Sequence, residues 1–370
     1  MQVITVRARA RAKRLGENNT STVTLPVPQS GVALPEVWVL GTQFLVGAAL
    51  AAGLYFLAIY IVNPVRDFVG PSIFPAVRSD YRNEKIALFD AFAQKGAVDG
   101  LILGSSRSML LNGARISALN GGRYFNFGLA SAKAEDFLAA LRFTLRRGQK
   151  PKHIVIGVDV ESLRDTAAHG DSIHPLREIA TGKPDPLDYA RAVIGRTATW
   201  SYAQDTAQAV YLRLRPRPAA VGFAADGTLQ YLSRDAQRAA GTFRLDAEMS
   251  GCIANCRKKI DGTTELSKIQ VRYLRQTVRE ARGAGADVTL WLTGPHPRTA
   301  EHMAAGTSYT HLVSQTWELL QKQGVAVDLH DPSQYGGTAD GWYDCNHFDN
   351  SHARLIEQIL SRTLSDRGGQ

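Results

Sequence analysis

Hydrophobic and polar positions divide the chain into two regimes. Residues 37–62 run without a charge, with Thr42 and Gln43 the clearly polar members. Beyond residue 98, short apolar runs alternate with stretches in which apolar side chains recur every three or four positions. The first regime predicts a membrane-spanning helix, since about 20 apolar residues suffice to cross the hydrocarbon core. It also exceeds the roughly 7–15 residues of a signal-peptide core. Its small-x-small sites lie inside the run, with Leu54-Tyr55-Phe56-Leu57 still to come, so an uncleaved anchor over residues 36–63 is expected. Tyr55 and Tyr60 fall near one end, where aromatic rings favour the membrane–water boundary.

The second regime reads as strands and helices in turn. A short helix over 83–95, with Gly96 placed to end it, closes a Pro-bearing connector at 64–98. Strands are expected at 100–104, 123–127, 152–158, 287–292 and 325–329. Helices are expected at 107–118, 132–146, 264–282, 307–323 and 351–364. Apolar runs this short, separated by helical periods, indicate a parallel sheet covered on both faces. The predicted fold is therefore a doubly wound α/β domain with five parallel strands, over 99–370. Residues 161–263 break the alternation. They are rich in Arg, Ala and Asp and carry Pro175, Pro184, Pro186, Pro216 and Pro218. They read as a largely helical insertion, with helices near 186–194 and 197–212, packed over the C-terminal edge of the sheet. A lid is one role for it, a second small domain another. No internal repeat is evident.

Charge refines this picture. The net charge is +9, and the hydrophobic share of 44% allows a full core. Before residue 36 stand Arg7, Arg9, Arg11, Lys13 and Arg14 against Glu17 alone, so four of the nine charges sit on that tail. The tail, residues 1–35, is basic and then Thr/Pro/Ser-rich, and is expected to be disordered. The remainder has no aromatic-interleaved basic stripe, which argues against nucleic acid as a partner. Basic residues stay cytoplasmic. The expected topology is thus single-pass, with the N-terminus inside and the large domain outside; in a Gram-negative cell this is the inner membrane and the periplasm.

Two short motifs carry the candidate chemistry. Gly104-Ser105-Ser106-Arg107 follows the first strand, and Asp344-Cys345-Asn346-His347 precedes the last helix. In open α/β sheets ligands bind beyond the C-terminal strand ends, where both motifs, Asn126-Phe127-Gly128 and Gly157-Val158-Asp159 are expected to meet. A serine is a weak nucleophile unless a base is in hydrogen-bond reach and a third group orients that base. Ser, His and Asp supply that set, and a helix opening at Ser106 would add N–H groups for an oxyanion. Each piece has a plainer reading: a serine after a strand is most often a helix cap, Asp344 a turn former, His347 a surface histidine. Arg107 is a candidate contact for an anionic substrate group or a structural ion pair. His296, in a Pro-flanked loop after strand four, is a candidate substrate contact or a rigid loop residue. His352 falls on the last helix and reads as structural.

On these motifs the chain resembles the SGNH (GDSL-like) hydrolase superfamily. Gly104-Ser105-Ser106 matches its Gly-Asp-Ser block with Ser for the middle Asp, Gly128 its second-block Gly, and Asp344 and His347 its Asp-x-x-His. The resemblance spans roughly residues 98–160 and 286–366, and it implies Ser106 as nucleophile, His347 as base and Asp344 as orienting acid. It also implies an oxyanion hole from the N–H groups of Ser106 and Gly128. The third block, normally Gly-x-Asn, reads Gly157-Val158-Asp159, and an ionised carboxylate cannot donate to an oxyanion. In organisation the chain resembles the membrane-anchored, envelope-facing branch, whose alginate-acylating and teichoic acid D-alanylating proteins also depart from the strict blocks.

The expected function is acyl-ester chemistry at a membrane surface, by an esterase or O-acyltransferase acting on O-acetyl groups of a cell-envelope polysaccharide. A membrane acyl-donor protein is a candidate partner, and no cofactor or metal enters. The alternatives are a non-catalytic glycan-binding assembly protein, favoured by Asp159, and a lipid or thioester hydrolase, which asks for a long apolar groove under 161–263. Of the three cysteines, a bridge from Cys345 to the Cys252/Cys256 segment would pin that segment beside the site. A local Cys252–Cys256 bridge is the alternative. A zinc site from the three thiols and His347 is a third reading, without the usual C-x₂-C spacing.

Overall fold

The computed structural model describes residues 34–65, 67–68, 72–77, 81–164, 186–215 and 219–368. The basic tail at 1–33, part of the connector and part of the insertion lie outside the described residues. The chain separates into two compact units, Met1–Leu54 and Tyr55–Gln370. Helix α1 (Leu34–Val62) carries the charge-free run. Its portion Trp38–Val62, in which an 18-residue window reaches a mean hydropathy of 2.3, is long and apolar enough to cross a membrane. The Thr42 hydroxyl donates back to Trp38 O at 2.8 Å, so one of the run's few polar groups is satisfied within the helix.

The larger unit is built on a five-stranded parallel sheet. After α2 (Arg82–Ala93) come β1 (Gly100–Gly104), α3 (Gly113–Asn120), β2 (Tyr124–Asn126), α4 (Ala134–Arg146) and β3 (His153–Val158). The insertion contributes α5 (Pro186–Thr197), α6 (Trp200–Leu214), the hairpin β4 (Gly222–Phe223) and β5 (Leu229–Gln230), α7 (Leu232–Ala239) and α8 (Leu245–Lys258). The sheet resumes with α9 (Lys268–Gly283), β6 (Asp287–Thr293), α10 (Pro297–Ala304), α11 (Tyr309–Gln323), β7 (Val325–Leu329) and α12 (Asn350–Gly368). Strand order is β2-β1-β3-β6-β7, and every pairing in this sheet is parallel.

Alternation along the strands explains the layering. Leu101 and Leu103, Ile154, Ile156 and Val158, and Val288, Leu290 and Leu292 point to one face, packed with Phe89 of α2 and residues of α4, α9 and α11. Ile102, Val155 and Trp291 point to the other, against Ile116 of α3 and Ala353, Ile356 and Leu360 of α12. Successive strand side chains face opposite ways, so strands apolar at every position must be covered twice. At roughly 1.5–3 kcal/mol per fully buried large aliphatic side chain, this double cover is the main cohesive term.

Two local readings change. The expected helix at 107–118 is a single 3-10 turn at Ser108–Leu110, followed by α3 from Gly113. The reason is Asn112, whose side chain accepts from Arg115 N at 2.8 Å and so starts the helix there. Helix α10 was not foreseen; it begins at Pro297, a residue suited to a first helical position. The insertion is tied into the α/β unit at several points. Asn126 N donates to Asp226 O at 2.7 Å, and Ala114 N to the Asp226 carboxylate at 2.7 Å. The buried Lys85 ammonium bridges Asn126 O and Gly227 O; burial lowers its pKa to about 7, against the pull of Asp226 and Glu84.

Candidate active site

Ser106 stands in the turn just beyond β1. Gly104, at φ 140°, makes that turn, and a Cβ there would collide with Ser108 Oγ and Gly157 O. Only glycine combines that dihedral with that close approach. Ser106 Oγ lies 2.8 Å from His347 Nε2, across 241 residues of sequence. His347 Nδ1 lies 2.8 and 2.9 Å from the two Asp344 oxygens. With Nδ1–H donating to the carboxylate, Nε2 is left to accept the Ser106 proton. The Asp344-to-His347 segment is a tight turn in which Asp344 also accepts from Asn346 N and His347 N at 2.8 and 2.9 Å. Burial alone would raise the Asp344 carboxyl; His347, the Asn346 N–H and Arg234 outweigh it and hold the group well below the carboxylate range.

Arg234, on α7, is a contributor that sequence reasoning missed. Its Nη1 meets Asp344 at 2.9 Å and its Nη2 meets Glu248 at 2.6 Å. No pattern in the insertion marks it. Tyr231, one turn earlier, sets its ring 5.9 Å from that of His347. The insertion also holds the segment covalently: Cys252 of α8 is disulfide-bonded to Cys345. The local Cys252–Cys256 alternative is thereby corrected. The zinc alternative loses two thiols to the bridge and His347 to its two partners. Cys256 remains a buried thiol, with its sulfur accepting from Asn346 Nδ2 at 3.0 Å.

Four expected contributors do other things. Arg107 does not turn its guanidinium toward a substrate: its five N–H groups all have acceptors. They reach Asn346 O and Oδ1 at 3.2 and 2.9 Å, Glu161 at 3.4 and 3.1 Å, and Thr293 Oγ1 at 3.5 Å. Arg107 therefore ties the Ser106 turn to the His347 turn. Gly128 N–H is already donated to Asn126 Oδ1 at 2.8 Å, which takes it from the expected oxyanion hole. Asn126 in turn donates to Ser108 O and Leu111 O, both at 2.7 Å, and so fixes the chain after Ser106. Its place two residues before Gly128 was the available clue. Asp159 acts as an acceptor, from Ser105 Oγ, from Ser162 N at 2.7 Å and from Ser162 Oγ at 2.6 Å, with Arg107 at 3.5 Å. His296 is buried with both ring nitrogens used, Nδ1 accepting from Arg298 N at 3.1 Å and Nε2 donating to Ala339 O at 3.0 Å. That makes it the cap of α10 rather than a substrate contact. His352 is likewise buried, between Tyr335 Oη and Thr338 N.

Beside Ser106 opens a cavity of about 320 Å³. Its lining carries the cations Arg107, Lys133, Arg164, Lys258 and Lys259 against Asp159 and Glu161. Since Arg107 is committed to Glu161 and Asp159, the other four leave the cavity positive. Among the described residues, nothing accepts from the Ser106 N–H.

No protein-family model matches the sequence, and no curated protein matches it. Among solved structures, one similar fold is the crystal structure of a candidate acylhydrolase from Bacteroides fragilis. It is 12% identical, with a TM-score of 0.37, over 77% of this chain and 94% of that one. A likeness at that level carries no argument about activity, and the chemistry has to be read from the site itself.

Proposed function

We propose that the protein is a serine acyl-transfer enzyme, an esterase or O-acyltransferase, held at a membrane by α1. The observation that carries the reading is the unbroken line of contacts from Ser106 Oγ through His347 to Asp344. Ser106 Oγ attacks the ester carbonyl carbon while its proton passes to His347 Nε2. The tetrahedral adduct collapses, the C–O bond to the alcohol breaks, and His347 returns the proton to that alcohol. A second hydroxyl, from water or from an acceptor sugar, then loses its proton to His347 and attacks the Ser106 ester; the acyl C–Oγ bond breaks, and His347 returns the proton to Ser106 Oγ. Water yields the acid and a sugar hydroxyl yields a new ester. Asp344 keeps Nδ1 protonated and stabilises the imidazolium. Ser106 N–H is free to meet the oxyanion, and the cavity cations supply the remaining positive potential in place of Gly128 and Asp159.

The cavity suits an ester on a carrier bearing negative charge. With the domain outside the cytoplasm, an acylated envelope polysaccharide is the substrate class we favour, with a membrane acyl-donor protein as partner if the acceptor is a sugar. The lipid or thioester reading asks for a long apolar groove under 161–263, part of which lies outside the described residues, while the cavity beside Ser106 carries five cationic side chains in its lining.

Labelling by a fluorophosphonate tests the proposal. The full chain should label, and Ser106→Ala should not, while aryl acetate hydrolysis falls with it. A folded wild type that neither labels nor hydrolyses would sink the enzyme reading. It would leave the second one, a non-catalytic glycan-binding protein, which the engaged Gly128 N–H and the acceptor role of Asp159 favour.

A further inference from the structure

The side of α6 that points away from the protein carries an apolar stripe, with Gln204 at its edge, and α6 packs beside the last turns of α1. At 3.6 residues per turn, Trp200, Tyr211 and Leu214 fall within about 60° of one another, and Tyr202 and Ala209 lie opposite. Tyr202 and Ala209 are fully buried, while Trp200, Tyr211 and Leu214 are 77%, 45% and 76% exposed. Ile194 of α5 adds a further 56% exposed side chain. A surface helix ordinarily turns its apolar face inward, so an exposed apolar stripe opposite the buried one needs a partner.

Its position names that partner. Tyr55 Oη donates to Thr197 O at 2.8 Å, and Ile59, Val65 and Tyr202 form one buried cluster. Tyr55 lies about 10 Å of helix back from Val62, inside the apolar run. That run, Trp38–Val62, is 25 residues long, so at about 20 residues per crossing only some five can protrude. Tyr55, and with it the α5–α6 junction, then sits at the edge of the hydrocarbon. Trp and Tyr favour that depth. The exposed Arg215, set 5.8 Å over the Tyr211 ring, can reach lipid phosphates.

We propose that the α6 face carrying Trp200, Tyr211 and Leu214 lies in the interfacial layer of the bilayer that α1 crosses. The domain is then held at two points and does not swing on a single tether. This rests on the reading of α1 as a membrane span. The test uses the full chain in phosphatidylcholine vesicles, with and without lipids brominated near the top of the acyl chains. Emission from Trp38 and from Trp200 is isolated by subtracting the Trp38→Phe and Trp200→Phe variants. Both tryptophans should lose most of their emission to the bromines, with Trp200 blue-shifted relative to a water-exposed residue. Quenching of Trp38 alone would overturn the docking face and leave the span intact. Quenching of neither would remove the span and the face together. Trp200 shielded from both bromolipid and aqueous iodide would assign the stripe to a protein contact and overturn the proposal.

Discussion

Ser106, His347 and Asp344 were legible as residue types in a chain order, yet the side chains that hold them in register were not. Arg107 is the clearest case: it neighbours the nucleophile in sequence, but its acceptors are Asn346, Glu161 and Thr293, brought together only by the fold. Arg107→Lys keeps the charge and loses the planar fork. It should lower kcat by about 10²-fold through misplacement of Ser106 against His347, with KM little changed and no rescue at higher pH. An equal rise in KM would show a substrate contact instead. Asp344→Asn should cost about 10⁴-fold in kcat, by presenting the wrong imidazole tautomer, measured on any ester that the wild type hydrolyses. Glu161 and Asp344 also set an acid limit. Burial opposes ionisation of Glu161, but Arg107 overrides it and holds the carboxyl, ordinarily near 4.5, at about 2. Asp344 is depressed in the same direction. A depressed folded pKa stabilises above the unfolded value and is lost as pH falls through the folded one. Urea midpoints should therefore be steady above pH about 4.5 and decline progressively toward about 2; a flat profile over that window would contradict these pairings.

At the scale of elements, the strands were the most readable part, because a doubly covered strand is apolar at every position whatever surrounds it. Gly100–Gly104, buried throughout, falls where the pattern set it, and so does the half-buried edge strand Val325–Leu329 despite Asp328. The turn after β1 was not readable, since Asn112 competes with Ser106 to start the helix and wins by its hydrogen bond to Arg115 N. The hairpin β4–β5 was invisible for the opposite reason: two-residue strands have too few positions to show a period. The insertion acts on the site through α7 and α8, the first by Arg234 and the second by the Cys252–Cys345 bond. That bond closes a loop of 93 residues, for which the chain-entropy model gives between 4 and 5 kcal/mol, about the value for a 100-residue loop. Reduction, or Cys252→Ser, should lower the thermal midpoint markedly and loosen His347, while Cys256→Ser should leave the bridge intact. Denaturation with and without reductant, read alongside the rate of fluorophosphonate labelling, checks both effects. Unchanged labelling after reduction would show that α8 does not steady the site.

For the whole molecule, the charge-free run makes a direct prediction. The full chain should stay with membranes after alkaline carbonate extraction, and two or three Leu→Arg changes between residues 45 and 57 should release it. At roughly 2.5–3.5 kcal/mol per central charge, those changes exceed what one helix can offset. The sequence alone settled what depends on local composition and period: an apolar helix of spanning length, five parallel strands, and the residue types from which a Ser-His-Asp line can be drawn. Tertiary structure decided which polar groups were still available for chemistry. Gly128 and Arg107 looked free in the sequence, but Asn126 and Asn346 had already taken their hydrogen bonds. Each such bond joins segments far apart in the chain, or folds a loop back on itself, and each donor can be given only once. Periodicity along a sequence records which side chains avoid water; it carries no record of which donor meets which acceptor once the chain has closed.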